Sequence, residues 1–162
     1  MIPEPVRQWV PHSAVYRGQL DYNLILAVIW QESDGNQWAY RYEPGYQYFY
    51  DVNAKKPLYS VALSVAENRA VALKVLGSTE FTQQSASWGL MQSMGAVARE
   101  RGFTGYMPRL CDALVGVKLC CEFLNDLYDR SGNDVRKALL RYNGGGHYPD
   151  EVLAKLKLIK EG

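Results

Sequence analysis

The sequence predicts a mainly α-helical protein with a small irregular or β part near residues 38–52, and three observations support this fold class. Apolar residues recur every three or four positions over residues 24–33, 60–76 and 112–130, which is the period of an amphipathic helix. An aromatic stretch around Pro44 and Gly45 carries a turn signal instead of that period. No repeat, linker or low-complexity segment interrupts the 162 residues, so we expect one domain over 1–162.

Composition argues against several classes of protein. The chain has 18 basic and 17 acidic residues and a net charge of +1, so it lacks the basic excess that binds nucleic acid. Its longest apolar run, Leu24–Trp30, is far too short to span a membrane. No apolar signal-peptide core is visible near the N-terminus, so we expect synthesis in the cytoplasm. Twelve Tyr suit either a protein core or a ligand with flat apolar faces, such as a sugar.

The three cysteines, Cys111, Cys120 and Cys121, do not have the number or spacing of a disulfide framework. This pattern favours a reducing compartment. Only two His occur, so a zinc site made of Cys and His is not expected. We predict that the cysteines are small apolar residues of the core.

The helix over residues 24–33 ends in an acid. Asp21 or Asn23 can cap its start, and Gly35 with Asn36 can end it. Glu32 lies in the last turn, on the face that carries the apolar side chains at three, four and seven positions before it. Apolar neighbours and the negative end of the helix both disfavour a charged carboxylate, so we expect a raised pKa and a general acid. The alternative is an ion pair with an Arg, or a side chain that points to solvent at a frayed helix end.

The aromatic stretch, residues 38–51, has two interpretations. It can line a saccharide site, with Glu43 as a second acid, or it can be a hairpin or loop that packs on the helices. Packing is the favoured interpretation for most of the Tyr residues, and less so for Glu43.

The other elements follow from caps and helix-breaking residues. Residues 1–20 contain three Pro and are expected to form a short helix or a clasp with a structural role. The remaining predictions are a polar connection over 53–57, a helix over 60–76 closed by Gly77, a loop over 78–87, a helix that opens at Gln92 and runs through about Arg101, a helix over 112–130 with Asp112 as N-cap, a turn over 131–134, a helix over 135–142 that stops at 143–146, and a helix over 149–159.

Three short motifs, taken together and in this order, resemble those of a known family. They are Glu32-Ser33 at the end of the first long helix, the stretch Gly89–Gln92 at the opening of a helix, and the stretch Tyr142–Gly145 at the end of a helix. The combination resembles the soluble lytic transglycosylases, which share the α+β lysozyme-like fold of goose-type lysozyme. The sequences of residues 38–44 and 87–92 are most similar to those of the phage-encoded branch. Gly95 and Gly145 depart from the bacterial pattern, which often has Pro and Ala there.

The resemblance implies cleavage of peptidoglycan between N-acetylmuramic acid and N-acetylglucosamine, with no metal and no cofactor. It implies one carboxyl group, Glu32, as general acid and then base, with help from the substrate's own acetamido group. The product would be a 1,6-anhydromuramoyl end.

The resemblance also implies a set of substrate-binding residues. Ser33 would hydrogen-bond near the acid or the substrate, while Met91 and Gln92 would line the saccharide groove. Tyr142 would position the acid or the acetamido group, and Asn143 would hold the local turn. Glu43 is added to this set from its place in the aromatic stretch.

Two alternatives stay open. A hydrolase acting on the same bond would need a second carboxylate to activate water, and Glu43 or Asp51 could supply it. A non-catalytic domain that binds the cell wall or builds a virion is the other alternative, although it would have no need of a buried acid. The expected partner is the glycan strand, and a phage virion or larger assembly could carry the chain.

Overall fold

The computed structural model describes residues 2–162, so that only Met1 of the predicted N-terminal segment lies outside it. It confirms a mainly α-helical fold with a small β part. The described chain contains helices α1 Glu4–Arg7, α2 Val10–Tyr16, α3 Tyr22–Ser33, α4 Val65–Gln84, α5 Gly95–Glu100, α6 Ala113–Arg130, α7 Val135–Asn143 and α8 Tyr148–Glu161, with a 3-10 helix at Met107–Cys111. The strands are β1 Tyr40–Tyr42, β2 Tyr50–Asp51, β3 Lys56–Pro57, β4 Ala86–Trp88 and β5 Ser93–Met94.

Helix α3 lies at the centre of the core and begins and ends as its sequence predicts. The Asp21 side chain accepts a hydrogen bond from the backbone N–H of Asn23 at 2.9 Å, which satisfies one free donor of the first turn. Residues 24–29 are all buried, and α3 packs against α1, α2 and α8. The helix ends through left-handed backbone at Asp34 and Gly35. A side chain at Gly35 would clash, since a Cβ there would lie 2.2 Å from the carbonyl oxygen of Pro5.

The β part is larger than predicted. Strand β4 pairs with both β1 and β5 in an antiparallel three-stranded sheet, with Arg41 opposite Ser87. Strands β2 and β3 form a separate two-stranded sheet. Strands β1 and β2 lie inside the predicted interval of 38–52, whereas β3 lies in the expected polar connection, and β4 and β5 come much later in the chain, on either side of the Gly89–Gln92 motif.

The prediction of a loop over residues 78–87 is wrong. Gly77 interrupts α4 with φ 74° and ψ 164°, as its position predicts, but the helix resumes at once and continues to Gln84. Polar residues in this segment indicate exposure to solvent, yet Gln84 is fully buried. Its side-chain amide donates to the carbonyl of Tyr50 and accepts from the N–H of Tyr50, both at 2.9 Å.

The prediction that a helix opens at Gln92 is also wrong. Residues 89–92 form the tight turn between β4 and β5, with left-handed backbone at Gly89 (φ 74°) and Gln92 (φ 50°), and α5 begins at Gly95. A Cβ at Gly89 would lie 2.3 Å from the carbonyl oxygen of Leu110. The glycine therefore serves both a positive φ and a close backbone approach.

The three cysteines are free and buried, as predicted for core residues. Asp112 caps α6 by accepting from the N–H of Leu114 at 2.9 Å. Within residues 2–162, every helix falls short of the length or the apolar character needed to cross a bilayer.

Candidate active site

A groove of about 620 Å³ lies over the C-terminal end of α3. We call one side the helical wall, formed by Glu32 of α3, Phe123 of α6 and the end of α7. The other side, the sheet wall, is formed by β1, the segment that follows it and the β4–β5 hairpin. The lining residues are Glu32, Arg41, Glu43, Gly45, Tyr46, Tyr48, Ser87, Gln92, Met94, Val97, Glu100, Phe123, Arg141, Tyr142, Asn143 and Gly144.

Glu32 lines the groove from the last turn of α3 and is half-buried. Burial raises the pKa of its carboxyl above the ordinary value of 4.5. The Tyr148 hydroxyl, the positive charge of Arg41 and the Asn143 side chain oppose this effect and lower the pKa in part. Glu32 takes part in no ion pair within 4 Å among residues 2–162. The carboxyl is therefore suited to hold a proton.

Tyr148 is a neighbour of Glu32 that the sequence reasoning missed. Its side chain is 5% exposed, and its hydroxyl has no well-formed hydrogen bond among residues 2–162. Burial, followed by the charge of Glu32, raises the pKa of Tyr148, so the hydroxyl stays neutral and able to donate. The spacing of Tyr148, Val152 and Ile159 indicates only that they share a buried face of α8, and not that Tyr148 adjoins Glu32.

Tyr142 and Asn143 come from the last turn of α7, and both line the groove. The Tyr142 hydroxyl donates to the carbonyl of Met91 at 2.8 Å, which ties the helical wall to the β4–β5 turn. Burial raises the pKa of Tyr142 well above its ordinary value. The Asn143 side-chain oxygen accepts from the N–H of Gly145 at 3.2 Å, in the turn that leaves the helix.

Two of the expected substrate-binding side chains lie behind the groove. Met91 is 1% exposed and belongs to the main core, so the expectation that its side chain lines the groove is wrong. Ser33 is not a lining residue either. Its hydroxyl donates to the carbonyl of Leu90 at 2.8 Å. Both residues join the end of α3 to the β4–β5 turn.

Gln92 lines the groove, but its side chain is also bound to the sheet. Its amide nitrogen donates to the carbonyls of Gly89 at 2.8 Å and Ala39 at 3.2 Å. Its amide oxygen accepts from the Ser87 hydroxyl at 2.8 Å. These bonds fix the turn against β1 and present the amide at the groove surface.

The sheet wall carries a second carboxylate, Glu43, which is ion-paired with Arg41. The two residues are two positions apart along an extended chain, where alternate side chains point to the same face. This spacing indicates that Arg41 and Glu43 share a face, and Arg41 was not among the predicted site residues. Glu43 is anchored by its own backbone, since its N–H donates to the carbonyl of Ser85 at 2.8 Å. Asp51, the other candidate, is outside the groove and accepts from the N–H groups of Asn53 and Ala54.

The aromatic stretch divides between groove and core. Tyr46 and Tyr48 line the groove, whereas Phe49 is buried and stacks on Phe81 with ring centroids 4.8 Å apart. Arg69 of α4 holds this segment in place by donating to the carbonyl of Tyr46 at 2.6 Å. The stretch therefore contributes side chains both to the groove and to the core.

The geometry combines one desolvated carboxyl, neutral hydroxyls beside it, and a groove of about 620 Å³ with aromatic and polar walls. Such a site can protonate a leaving group on an extended polar ligand. A family model described as "Transglycosylase SLT domain" matches residues 10–155 of the chain. A search of curated proteins and a search of solved structures each returned no match.

Proposed function

We propose that this chain, which belongs to the Transglycosylase SLT domain family, cleaves the β-1,4 bond between N-acetylmuramic acid and N-acetylglucosamine without using water. The family match covers nearly the whole chain, and lytic transglycosylase-type degradation of peptidoglycan is the function that it supports. The bond, the product and the residue roles given below are our proposal, with 1–162 acting as a single catalytic domain.

Glu32 is the proposed general acid and base. In its protonated form it donates a proton to the glycosidic oxygen, and the N-acetylglucosamine leaving group departs. A carboxyl whose pKa is raised by burial is suited to this step, because it keeps its proton to a higher pH than an exposed Glu does.

The substrate supplies the second group. The carbonyl oxygen of the muramoyl acetamido group bonds to C1 as the leaving group departs, so the protein needs no nucleophile. The Glu32 carboxylate then removes the proton from the C6 hydroxyl, and that oxygen bonds to C1 while the acetamido oxygen leaves. The product is a 1,6-anhydromuramoyl end, and Glu32 is protonated again.

The surrounding residues position these groups. Tyr148 and Tyr142 offer neutral hydroxyls near Glu32, and Asn143 borders the same end of the groove. Gln92, with its amide at the groove surface, is the proposed contact for the glycan chain, and Ser33 and Met91 act through the turn that they hold. Tyr46 and Tyr48 present rings on which sugar faces can stack.

The half-buried carboxyl of Glu32 in a glycan-sized groove is the observation that carries the proposal. The first experiment digests purified peptidoglycan with the wild type and with Glu32→Gln, and identifies the muropeptides by mass spectrometry. We expect products one water lighter than hydrolytic muropeptides from the wild type and none from the variant. Reducing-end products from the wild type would contradict the proposal and favour the hydrolase, with Glu43 as its second carboxylate.

The sequences of residues 38–44 and 87–92 support a phage-encoded enzyme that reaches the cell wall in a virion or larger assembly, or at lysis.

Binding to peptidoglycan with no products from either protein would favour the non-catalytic alternative. Arg7→Ala is a matched control, because it removes an exposed ion pair with Glu4 at a site outside the groove.

A further inference from the structure

Arg41 interacts with one carboxylate on each wall of the groove. It forms the ion pair with Glu43 on the sheet wall, and its charge also acts on Glu32 on the helical wall. All three side chains line the same groove. The guanidinium therefore pairs with one acid of the groove and acts electrostatically on the proposed general acid, and a hydrolase would use two such acids.

We propose that Arg41 determines the reaction outcome by holding Glu43 in an ion pair, so that Glu43 does not activate water. The inference rests on the proposed function, since it concerns which nucleophile completes that reaction. It assigns to Arg41 a positioning role and makes this pair the specificity determinant between transglycosylation and hydrolysis.

The physical basis is the geometry of the pair. Arg41 lies in the middle of β1, where pairing with Ser87 of β4 fixes its backbone. The Glu43 N–H is fixed by Ser85, so both ends of the ion pair are held by the sheet. Arg41 Nε donates to Oε1 of Glu43, so the guanidinium competes with a water molecule for this carboxylate. Protonation of Glu43 by a water would also remove the charge that pairs with Arg41.

The two outcomes differ in one step. Both begin when Glu32 protonates the glycosidic oxygen and the acetamido oxygen bonds to C1. In the wild type, the C6 oxygen then bonds to C1 as the acetamido oxygen leaves, and the C6 hydroxyl gives its proton to Glu32. Without Arg41, a water oxygen bonds to C1 and gives its proton to Glu43, and the acetamido oxygen leaves. The product is then a reducing end, Glu43 releases its proton to solvent, and solvent returns a proton to Glu32.

A third carboxylate in the groove provides a discriminating control. Glu100 of α5 is exposed and lines the groove, with no ion pair among residues 2–162. It lies near Tyr46, whose pKa it helps to raise. A water activated by Glu100 instead of Glu43 would not depend on the ion pair.

The experiment measures the ratio of reducing-end to 1,6-anhydro muropeptides by mass spectrometry for a set of variants. We expect Arg41→Ala to raise this ratio at least tenfold over the wild type. We expect Arg41→Ala/Glu43→Gln to return it to the wild-type value and Arg41→Ala/Glu100→Gln to leave it high. Arg7→Ala, which also removes an Arg–Glu ion pair, should not change the ratio. A change of product is a result that a merely structural role of Arg41 would not give.

Several results would overturn the inference. They are an unchanged ratio in Arg41→Ala, a high ratio that persists without Glu43, a ratio that falls only without Glu100, and a folded Arg41→Ala that has no activity. Arg41→Met, which keeps an unbranched apolar side chain, replaces the Ala variant if thermal unfolding shows that the latter does not fold. Failure of the proposed function is distinct, because the wild type itself would then give no 1,6-anhydro product.

Discussion

The two walls of the groove each present a glutamate, and their surroundings differ. Glu32 ends a buried helix, has no ion-pair partner among residues 2–162, and has a raised pKa because it is desolvated. Glu43 follows a short exposed strand and is paired with Arg41, and its side chain is 30% exposed. The same side chain is thus suited to hold a proton on one wall and is engaged in an ion pair on the other.

This difference shows that the secondary structure around a carboxylate sets its chemistry. A helix that packs on α1, α2 and α8 removes water from one side of Glu32, whereas an edge strand leaves Glu43 close to solvent. The comparison can be tested by removing each carboxylate, by disturbing the sheet wall, and by disturbing the contact between the walls.

The largest expected effect comes from replacing the two carboxylates separately. Glu32→Gln should lower the rate of peptidoglycan cleavage by about 10²–10⁴-fold, the range for loss of a general acid. Glu43→Gln should lower it by less than about tenfold, because Glu43 is held in a surface ion pair, and such pairs contribute little free energy. Initial rates at equal concentrations of folded protein measure both. Equal losses in the two variants would contradict the difference between the walls.

The second prediction concerns the turn that supports the sheet wall. Gly89→Ala should lower the free energy of unfolding by about 2–5 kcal/mol, because Ala disfavours a positive φ and its Cβ would meet the carbonyl oxygen of Leu110. Gly102→Ala is the matched control, since Gly102 also has a positive φ but has open space around it. It should cost only about 1–2 kcal/mol. Denaturant unfolding measures both, and equal costs would show that the close contact is unimportant.

The third prediction concerns the hydrogen bond between the walls. Tyr142→Phe leaves the Met91 carbonyl without its partner and should cost about 1–3 kcal/mol of stability. It should also lower the cleavage rate, since the β4–β5 turn loses a fixed contact. Tyr128→Phe serves as control because its hydroxyl makes no hydrogen bond within residues 2–162, and we expect a change below about 0.5 kcal/mol. Thermal unfolding midpoints compare the two.

The smallest effect is on the pH dependence of stability. The pKa of Glu32 is higher in the folded than in the unfolded chain, so the folded chain holds more protons above the ordinary value of 4.5. Its contribution to stability is therefore complete below that pH and is lost as pH rises through the folded pKa. Glu32→Gln should become more stable relative to the wild type over this range. A difference between the two proteins in denaturant unfolding that stays constant as the pH rises above 4.5 would contradict a raised pKa.

Activity should fall over the same rise in pH, because the first step uses protonated Glu32. The groups that face Glu32 are Tyr148 from α8, Asn143 and Tyr142 from α7, Cys120 from α6 and Arg41 from β1. Of these, only Arg41 is positively charged, so Arg41→Ala should move the alkaline limb of the rate profile to higher pH. The pH dependence of the rate, measured at saturating and at low substrate concentration, gives the position of this limb.

The parts of the fold that the sequence predicted are those set by local rules. The cap at Asp21, the apolar face of α3 and the left-handed end near Gly35 depend on residues close together in the chain. Glu32 was predictable for the same reason, because its position in the last turn follows from helical spacing alone. The family motifs added the order in which such local features occur.

The errors arose where contacts between distant residues decide the structure. Residues 78–84 look polar, yet Gln84 is buried against the backbone of Tyr50, 34 positions away in the chain. Met91 was placed in the groove, but the turn that carries it directs its side chain into the core. Tyr148 was missed because its proximity to Glu32 depends on how α8 packs on α3. No local pattern contains this information.

The packing of α8 on α3 has a consequence for the order in which the site is assembled on the ribosome. Glu32 leaves the ribosome early, but Tyr142 and Tyr148, which adjoin it, follow more than a hundred residues later. A nascent or truncated chain that ends before α7 contains Glu32 but lacks Tyr142 and Tyr148. The pKa of Glu32 is then closer to that of an exposed Glu. Competence for the proposed chemistry is thus acquired only after most of the chain has been translated.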